Sequence, residues 1–211
     1  MSTTTIDPVE RLLDNADQGH MIIKNPNVLR HDYIPERILH RDKQQELVTQ
    51  SLIPLYRKSI PPNLLVYGKP GTGKTLVIKK VLNQIQNRVD KNSYRIKIVF
   101  TNAKEQSNLY NVLVDLGRQL GLKPKKTPDD KLWLPNTGLS ISEVFNRILY
   151  IIEKNKINSV FVIDEIDHLA KLVDKTGKDI LYSITRANLK LKNGSLSLIG
   201  ISNDVRFKEE L

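Results

Sequence analysis

The chain contains no cysteine, so it forms no disulfide and offers no thiolate to a metal. Its four histidines, His20, His31, His40 and His168, stand at no spacing that would gather a metal ion, and they read as surface or packing residues. No apolar run approaches the about 18 residues of a membrane span, and no basic start leads into an apolar stretch. A spanning helix and an N-terminal signal peptide are therefore not expected, and no membrane partner is. There is no internal repeat, which removes solenoid architectures. Together these absences predict an intracellular, soluble chain with an ordinary packed core.

What is present fits that expectation. The 211 residues suffice for one domain, or one domain plus an arm, with 39% hydrophobic and 27% charged residues. Thirty-three Lys and Arg against 23 Asp and Glu give a formal charge of +10. Such an excess attracts polyanions through counterion release. A solvated lysine-rich surface accounts for it equally well, because the basic residues are scattered more than clustered.

Residues 1–24 show no sustained apolar face and are expected to be an N-terminal tail, with a single domain over 25–211. Pro26 and Pro35 bracket Val28, Leu29, Tyr33 and Ile34 in what reads as an extended arm. A helix is predicted over Arg41–Lys58 on Leu47, Val48, Leu52 and Leu55, shortened or kinked by Pro54. Asn63–Tyr67 has the length of a buried strand, and a helix over Lys74–Asn87 follows. Strand Ile96–Thr101 precedes a helix over Ser107–Leu120 whose Leu109, Val112, Leu113, Leu116 and Leu120 share a face. Between 121 and 140 the chain carries Pro124, Pro128, Pro135 and Gly138 with Lys123, Lys125, Lys126 and Lys131, an insertion that breaks the alternation. Helix Ile141–Lys154, strand Ser159–Ile163, a helix with Leu169, Leu172 and Val173, a helix near Asp179–Leu191 and strand Ser195–Ser202 complete the pattern. Strands alternating with helices imply the α/β class, with a parallel sheet covered by helices on both faces.

Three segments carry chemistry. Gly68-Lys69-Pro70-Gly71-Thr72-Gly73-Lys74-Thr75 satisfies G-x-x-x-x-G-K-[ST] between a strand and a helix. Its glycines let successive backbone N–H groups face phosphate oxygens, and the helix start adds partial positive charge. Lys74 is placed to reach the β and γ phosphates of ATP or ADP, and Thr75 to ligate Mg²⁺. Val160-Phe161-Val162-Ile163-Asp164-Glu165 is an apolar strand ending in two acids. In a P-loop fold Asp164 would help hold Mg²⁺ and Glu165 would orient and deprotonate the attacking water; an acidic first turn of a helix would look the same. Leu198–Asn203 is a further buried strand ending in a polar residue, and Asn203 could reach the γ-phosphate or the lytic water, although an Asn after a strand is commonly a turn residue.

Read together, Gly68–Thr75, Val160–Asp167 and Ile199–Asp204 resemble Walker A, Walker B and sensor 1 of the AAA+ superfamily of P-loop NTPases. With Tyr33-Ile34-Pro35-Glu36-Arg37, His40-Arg41-Asp42 and Leu181–Asn188, the chain is similar over 25–211 to the archaeal origin-recognition and Cdc-type initiator family. The resemblance implies an ATP/ADP switch that recognises duplex origin DNA and helps load the replicative helicase with other initiator subunits, in the cytoplasm on the chromosome. It implies that Tyr33, Ile34 and Arg37 border the adenine. It also implies a DNA-contacting helical hairpin with its loop at Leu134–Ser140, here Thr137, Gly138, Leu139 and Ser140; a surface turn capped by Ser140 is the alternative. The family continues beyond Leu211 into an arginine finger, a lid and a winged helix, so the base domain reads as incomplete at its C-terminus and hydrolysis is expected to be weak. Arg186 is open to two readings, a helix-surface residue or a subunit contact. A competing function is a nucleotide-dependent protein-interaction switch without DNA binding. A metabolic kinase fits poorly, since no acceptor lid or second basic site is readable.

Overall fold

The computed structural model describes residues 7–17, 19, 25–30, 33–57, 59–89, 95–106, 108–126, 129–172 and 181–207. The chain divides into two compact units, Met1–Arg37 and Ile38–Leu211. In the first, the stretch expected to be a tail contains helix α1 (Pro8–Asp17). Asp7 Oδ1 accepts from the Val9 N–H at 2.9 Å, and Pro8 occupies the first turn, where its missing N–H has no partner to lose. Val9, Leu12 and Leu13 form its one apolar face, three residues long and exposed. The arm over 25–35 is not wholly extended: Pro26–Leu29 forms a 3-10 turn capped by the Asn25 side chain.

The second unit holds a four-stranded parallel sheet of β1 (Leu64–Tyr67), β2 (Ile96–Asn102), β3 (Asn158–Asp164) and β4 (Ser195–Ser202), in the order β1-β4-β3-β2. Its helices are α2 (Asp42–Tyr56), α3 (Lys74–Val89), α4 (Leu109–Leu120), α5 (Ile141–Asn155) and α6 (Asp167–Leu172). Residues 181–185 are helical and lead into a 3-10 turn, Ala187–Leu189. The predicted positions Lys58, Ser107, Val173 and Asp179 lie outside the described residues.

Strand alternation splits the core in two. Val160, Val162, Ile199 and Ile201 join Val48, Leu52 and Leu55 of α2 and Val77, Ile78, Val81 and Leu82 of α3. Phe161, Ile163, Leu196 and Leu198 face the other way, into α4, α5 and α6. Helices thus cover both faces, which is why β4 is buried along its whole length and β3 from Ser159 onward, with runs of apolar residues on both sides. Two expectations need correction. Leu47 is 65% exposed: Val48, Leu52 and Leu55 recur at i, i+4 and i+7, and Leu47 falls one position off that stripe. Among the described residues β1 stands at the edge of the sheet, paired to β4, half-buried over Leu64–Val66 and exposed at Tyr67. The opposite edge is closed by Gln119, whose amide accepts from Phe100 N at 3.0 Å and donates to Phe100 O at 2.8 Å.

Over 121–140, where an insertion is expected, the described residues form a return segment. Gly117 approaches Ile148 and Gly121 approaches Ile151, contacts that advance in step, so α4 and α5 run alongside in the same sense. The connection must therefore travel back along them, and its prolines and Gly138 disfavour long helices; among its described residues Asp130–Leu132 makes a 3-10 turn. Lys123 exchanges backbone hydrogen bonds with Leu132 and Leu134 at 2.8 and 2.7 Å. Arg147 binds the carbonyls of Asp130 and Trp133 and pairs with Glu143. Arg118 binds Leu134 O and the Asn136 side chain. Asp129 accepts from Lys154 and Tyr150, and those bonds hold its carboxyl below the usual range.

The turn entering β4 is close-packed. Glu153 accepts from the N–H groups of Lys192 and Asn193, and Gly194 (φ 107) follows. A Cβ on Gly194 would lie 2.6 Å from Ile157 O and 3.1 Å from Ile152 O, both backbone atoms. Gly194→Ala is expected to destabilise the fold by about 2–4 kcal/mol, read as an earlier midpoint of urea unfolding. An unchanged midpoint would mean that this turn relaxes without cost.

Candidate functional site

Strand register assembles the site. Tyr67 is level with Ser202, and Asn102 is level with Asp164, so the loops leaving all four strands emerge along one rim. Past the strand ends the ladder continues, with Ala103 N donating to Asp164 O at 2.9 Å and Ile166 N to Ile201 O at 3.0 Å.

The loop after β1 turns through Gly71 (φ 73) and Gly73 (φ 81), left-handed conformations that a side chain would strain. It then enters α3 directly at Lys74. Lys69, Pro70 and Gly71 are exposed, while Gly68, Thr72 and Gly73 are half-buried. Lys74 folds back under this loop: its Nζ donates to Gly68 O at 2.9 Å, Lys69 O at 3.0 Å and Asn203 Oδ1 at 2.8 Å. All three ammonium protons are thereby satisfied. Thr75 Oγ1 donates to Asp164 Oδ2 at 2.8 Å, a pair joining α3 to the end of β3.

Glu165 has left the strand, with φ 51, an uncommon conformation for a residue with a side chain. Its Oε1 lies 3.4 Å from Asn203 Nδ2, and its Oε2 is buried with no hydrogen-bond partner in the structure. Such an atom is costly unless a donor reaches it. Asn203 therefore stands between a cation and a carboxylate, oxygen toward Lys74 and nitrogen toward Glu165. Ammonium only donates and carboxylate only accepts, so that orientation is fixed by chemistry.

The rim thus brings together 68–75, Asp164, Glu165 and Asn203 within one unit. Thr75 and Asp164 supply oxygen donors only, the set a magnesium ion takes; no cluster of three or more His, Cys, Asp or Glu able to hold a metal occurs among the described residues. Tyr33, Ile34 and Arg37 belong to the other unit and carry no regular secondary structure. In the 121–140 segment, Thr137, Gly138 and Ser140 are exposed, as are Lys123, Lys125, Lys126 and Lys131. Leu139 is half-buried against the core, and Ser140 Oγ caps α5 by accepting from Glu143 N at 3.1 Å. Sequence reasoning gave no role to Asp167, whose Oδ1 accepts from Ser202 Oγ at 3.0 Å and Asn203 N at 3.2 Å. A third acid three positions after Asp164 was the available signal.

Comparison with known proteins agrees with this fold. The model of the AAA domain matches residues 59–206. The chain is 55% identical over 208 residues to an ORC1-type DNA replication protein of Cenarchaeum symbiosum, covering 99% of this chain and 49% of that protein. It is 34% identical over 203 residues to one of Pyrococcus furiosus, covering 96% and 46%. Among solved structures it is similar to the Aeropyrum pernix ORC1 protein in complex with DNA, with TM-score 0.76, 34% identity, and 87% and 44% of the two chains covered. The chain spans about half the length of the curated relatives it matches. It belongs to the AAA domain family, and within it to the archaeal origin-recognition and Cdc-type initiators, of which it spans the ATPase part.

Proposed function

We propose that this chain binds ATP and ADP with Mg²⁺ at 68–75 and forms the nucleotide-responsive part of an initiator that engages duplex origin DNA and supports helicase loading. The observation that carries the nucleotide reading is the pairing at the strand ends: Thr75 with Asp164 and Lys74 with Asn203, each at 2.8 Å. These are the groups that phosphate chemistry requires, held in place by side chains from three elements.

When bound, Mg²⁺ would neutralise phosphate charge; Thr75 and Asp164 are the residues to hold it. Lys74 would exchange loop carbonyls for phosphate oxygens. Glu165, with a buried acceptor oxygen, would take the proton of the attacking water, and Asn203 would orient that water or the γ-phosphate. Two variants separate binding from chemistry. Lys74→Ala should weaken ADP by about 10–100-fold, the worth of hydrogen bonds to a charged group, and unchanged ADP affinity by calorimetry would end the nucleotide reading. Glu165→Gln keeps the shape but loses the base, so it should retain ATP affinity while lowering turnover by at least about a hundredfold; equal turnover would remove Glu165 from the chemistry.

For DNA, support comes from the +10 charge, the exposed Thr137–Gly138 tip beside four exposed lysines, and a similar protein solved in complex with DNA. Tip backbone and hydroxyls would meet the sugar-phosphate wall, and the lysines would add attraction without sequence information. Affinity through this segment alone should be near about 10⁻⁴–10⁻⁶ M and fall as salt rises. Leu139 packs inward, so Thr137→Glu is the cleaner probe. It should weaken duplex binding in fluorescence anisotropy and leave ADP affinity unchanged, while Lys97→Glu, on exposed β2 surface, should matter less. Equal losses would make the attraction diffuse. No duplex affinity at low salt, with nucleotide-dependent oligomerisation, would favour the protein-interaction switch.

A further inference from the structure

Asp167 is the first residue of α6 and only 4% exposed. Burying a carboxylate is unfavourable unless its hydrogen bonds demand it. Here Oδ1 accepts from Ser202 Oγ at 3.0 Å and from Asn203 N at 3.2 Å. Ser202 is fully buried, and its hydroxyl has one proton to give. Asp204 O, at 3.2 Å, is a neutral competitor for it, while the carboxylate is both closer and charged, so the proton goes to Asp167. Ser202 Oγ then accepts from Asp204 N at 2.9 Å. One carboxylate thereby fixes the backbone at the point where the chain leaves β4. The next side chain is Asn203, whose amide bridges Lys74 and Glu165.

We propose that Asp167 is a positioning residue for the γ-phosphate: it locks the 202–204 turn so that Asn203 faces the position where ATP and ADP differ. The proposal rests on the nucleotide reading above. Removing the carboxylate lets the turn relax, and Asn203 loses its aim although the phosphate-binding loop is untouched. The effect should therefore fall on ATP and spare ADP. A carboxylate that merely fastened α6 to β4 would affect both nucleotides alike, or neither.

The test is calorimetry of the whole chain with Mg²⁺ and either ADP or a non-hydrolysable ATP analogue. Wild-type protein that binds neither overturns the nucleotide reading itself; wild-type protein that binds both leaves Asp167 tested on its own. Asp167→Ala should weaken the analogue about tenfold and change ADP less than about twofold, while Asp167→Asn, whose amide oxygen can still accept both bonds, should restore most of the loss. The double variant Asp167→Ala/Asn203→Ala should bind the analogue no more weakly than Asn203→Ala alone, because both act through one group. Equal loss for the two nucleotides, no loss for either, failure of Asn to rescue, or additive effects would each overturn the proposal. If Asp167→Ala does not fold, Ser202→Ala removes one donor to Asp167 and should give the same split at smaller size; an unchanged ratio in that variant would overturn it as well.

Discussion

Parallel pairing of β3 with both β2 and β4 is the constraint from which the site follows. Phe161 and Ile163 fill one core while Val160 and Val162 fill the other, so a slip of one residue would exchange two different apolar sets. Register is therefore held by packing on both faces, and it decides that Asp164 ends its strand on the α3 side, where Thr75 meets it. A parallel sheet also gathers every C-terminal strand end on one rim. Acid, amide and lysine, which come from segments far apart in sequence, are thereby carried to the same rim.

Several polar groups on that rim satisfy one another. Lys74 has three acceptors, Asp164 holds Thr75 and the Glu165 N–H, and Asp167 holds the 202–204 turn. Glu165 Oε2, by contrast, is buried without a partner, beside a backbone in the left-handed region. Unsatisfied and strained groups persist only where surrounding structure overdetermines them. Here that surrounding structure is β3, buried on both faces, immediately before Glu165, and the Ile166–Ile201 backbone bond immediately after it.

Legibility of the sequence tracked how far each feature depended on distant contacts. β4 was bounded correctly at Ser195–Ser202 because an apolar run ending in a polar residue is a local signal, and all five face residues predicted for α4 are buried. That 68–75, Asp164, Glu165 and Asn203 stand at strand ends was legible because their spacing relative to the apolar runs is local too. Run length did not reveal that β1 is an edge strand, since that depends on the order of strands in space. α1 escaped notice because its apolar face of three residues is too short for periodicity to show. Asp167 was visible as an acid, but its role depends on Ser202 and Asn203, which register alone brings near.

The 121–140 segment shows how the same constraint reaches beyond the rim. A crossover between parallel strands normally needs one helix, but β2 and β3 are joined by two, α4 and α5, running in the same sense. Such a pair requires a return path along the helix. The 12 residues of α4 span about 18 Å, a distance that about six extended residues would cover. The return segment is much longer than that, so most of it is surplus to the connection. That surplus is not left loose: Arg118 and Arg147 bind its carbonyls, Trp133 Nε1 donates to Pro124 O, and Asp129 is held by Tyr150 and Lys154. Prolines deny the segment a ladder of its own, and side chains from α4 and α5 replace it. The outcome is an exposed tip at Thr137–Gly138 on a base held by side chains of α4 and α5, so that the DNA contact proposed there would not carry the cost of ordering that base.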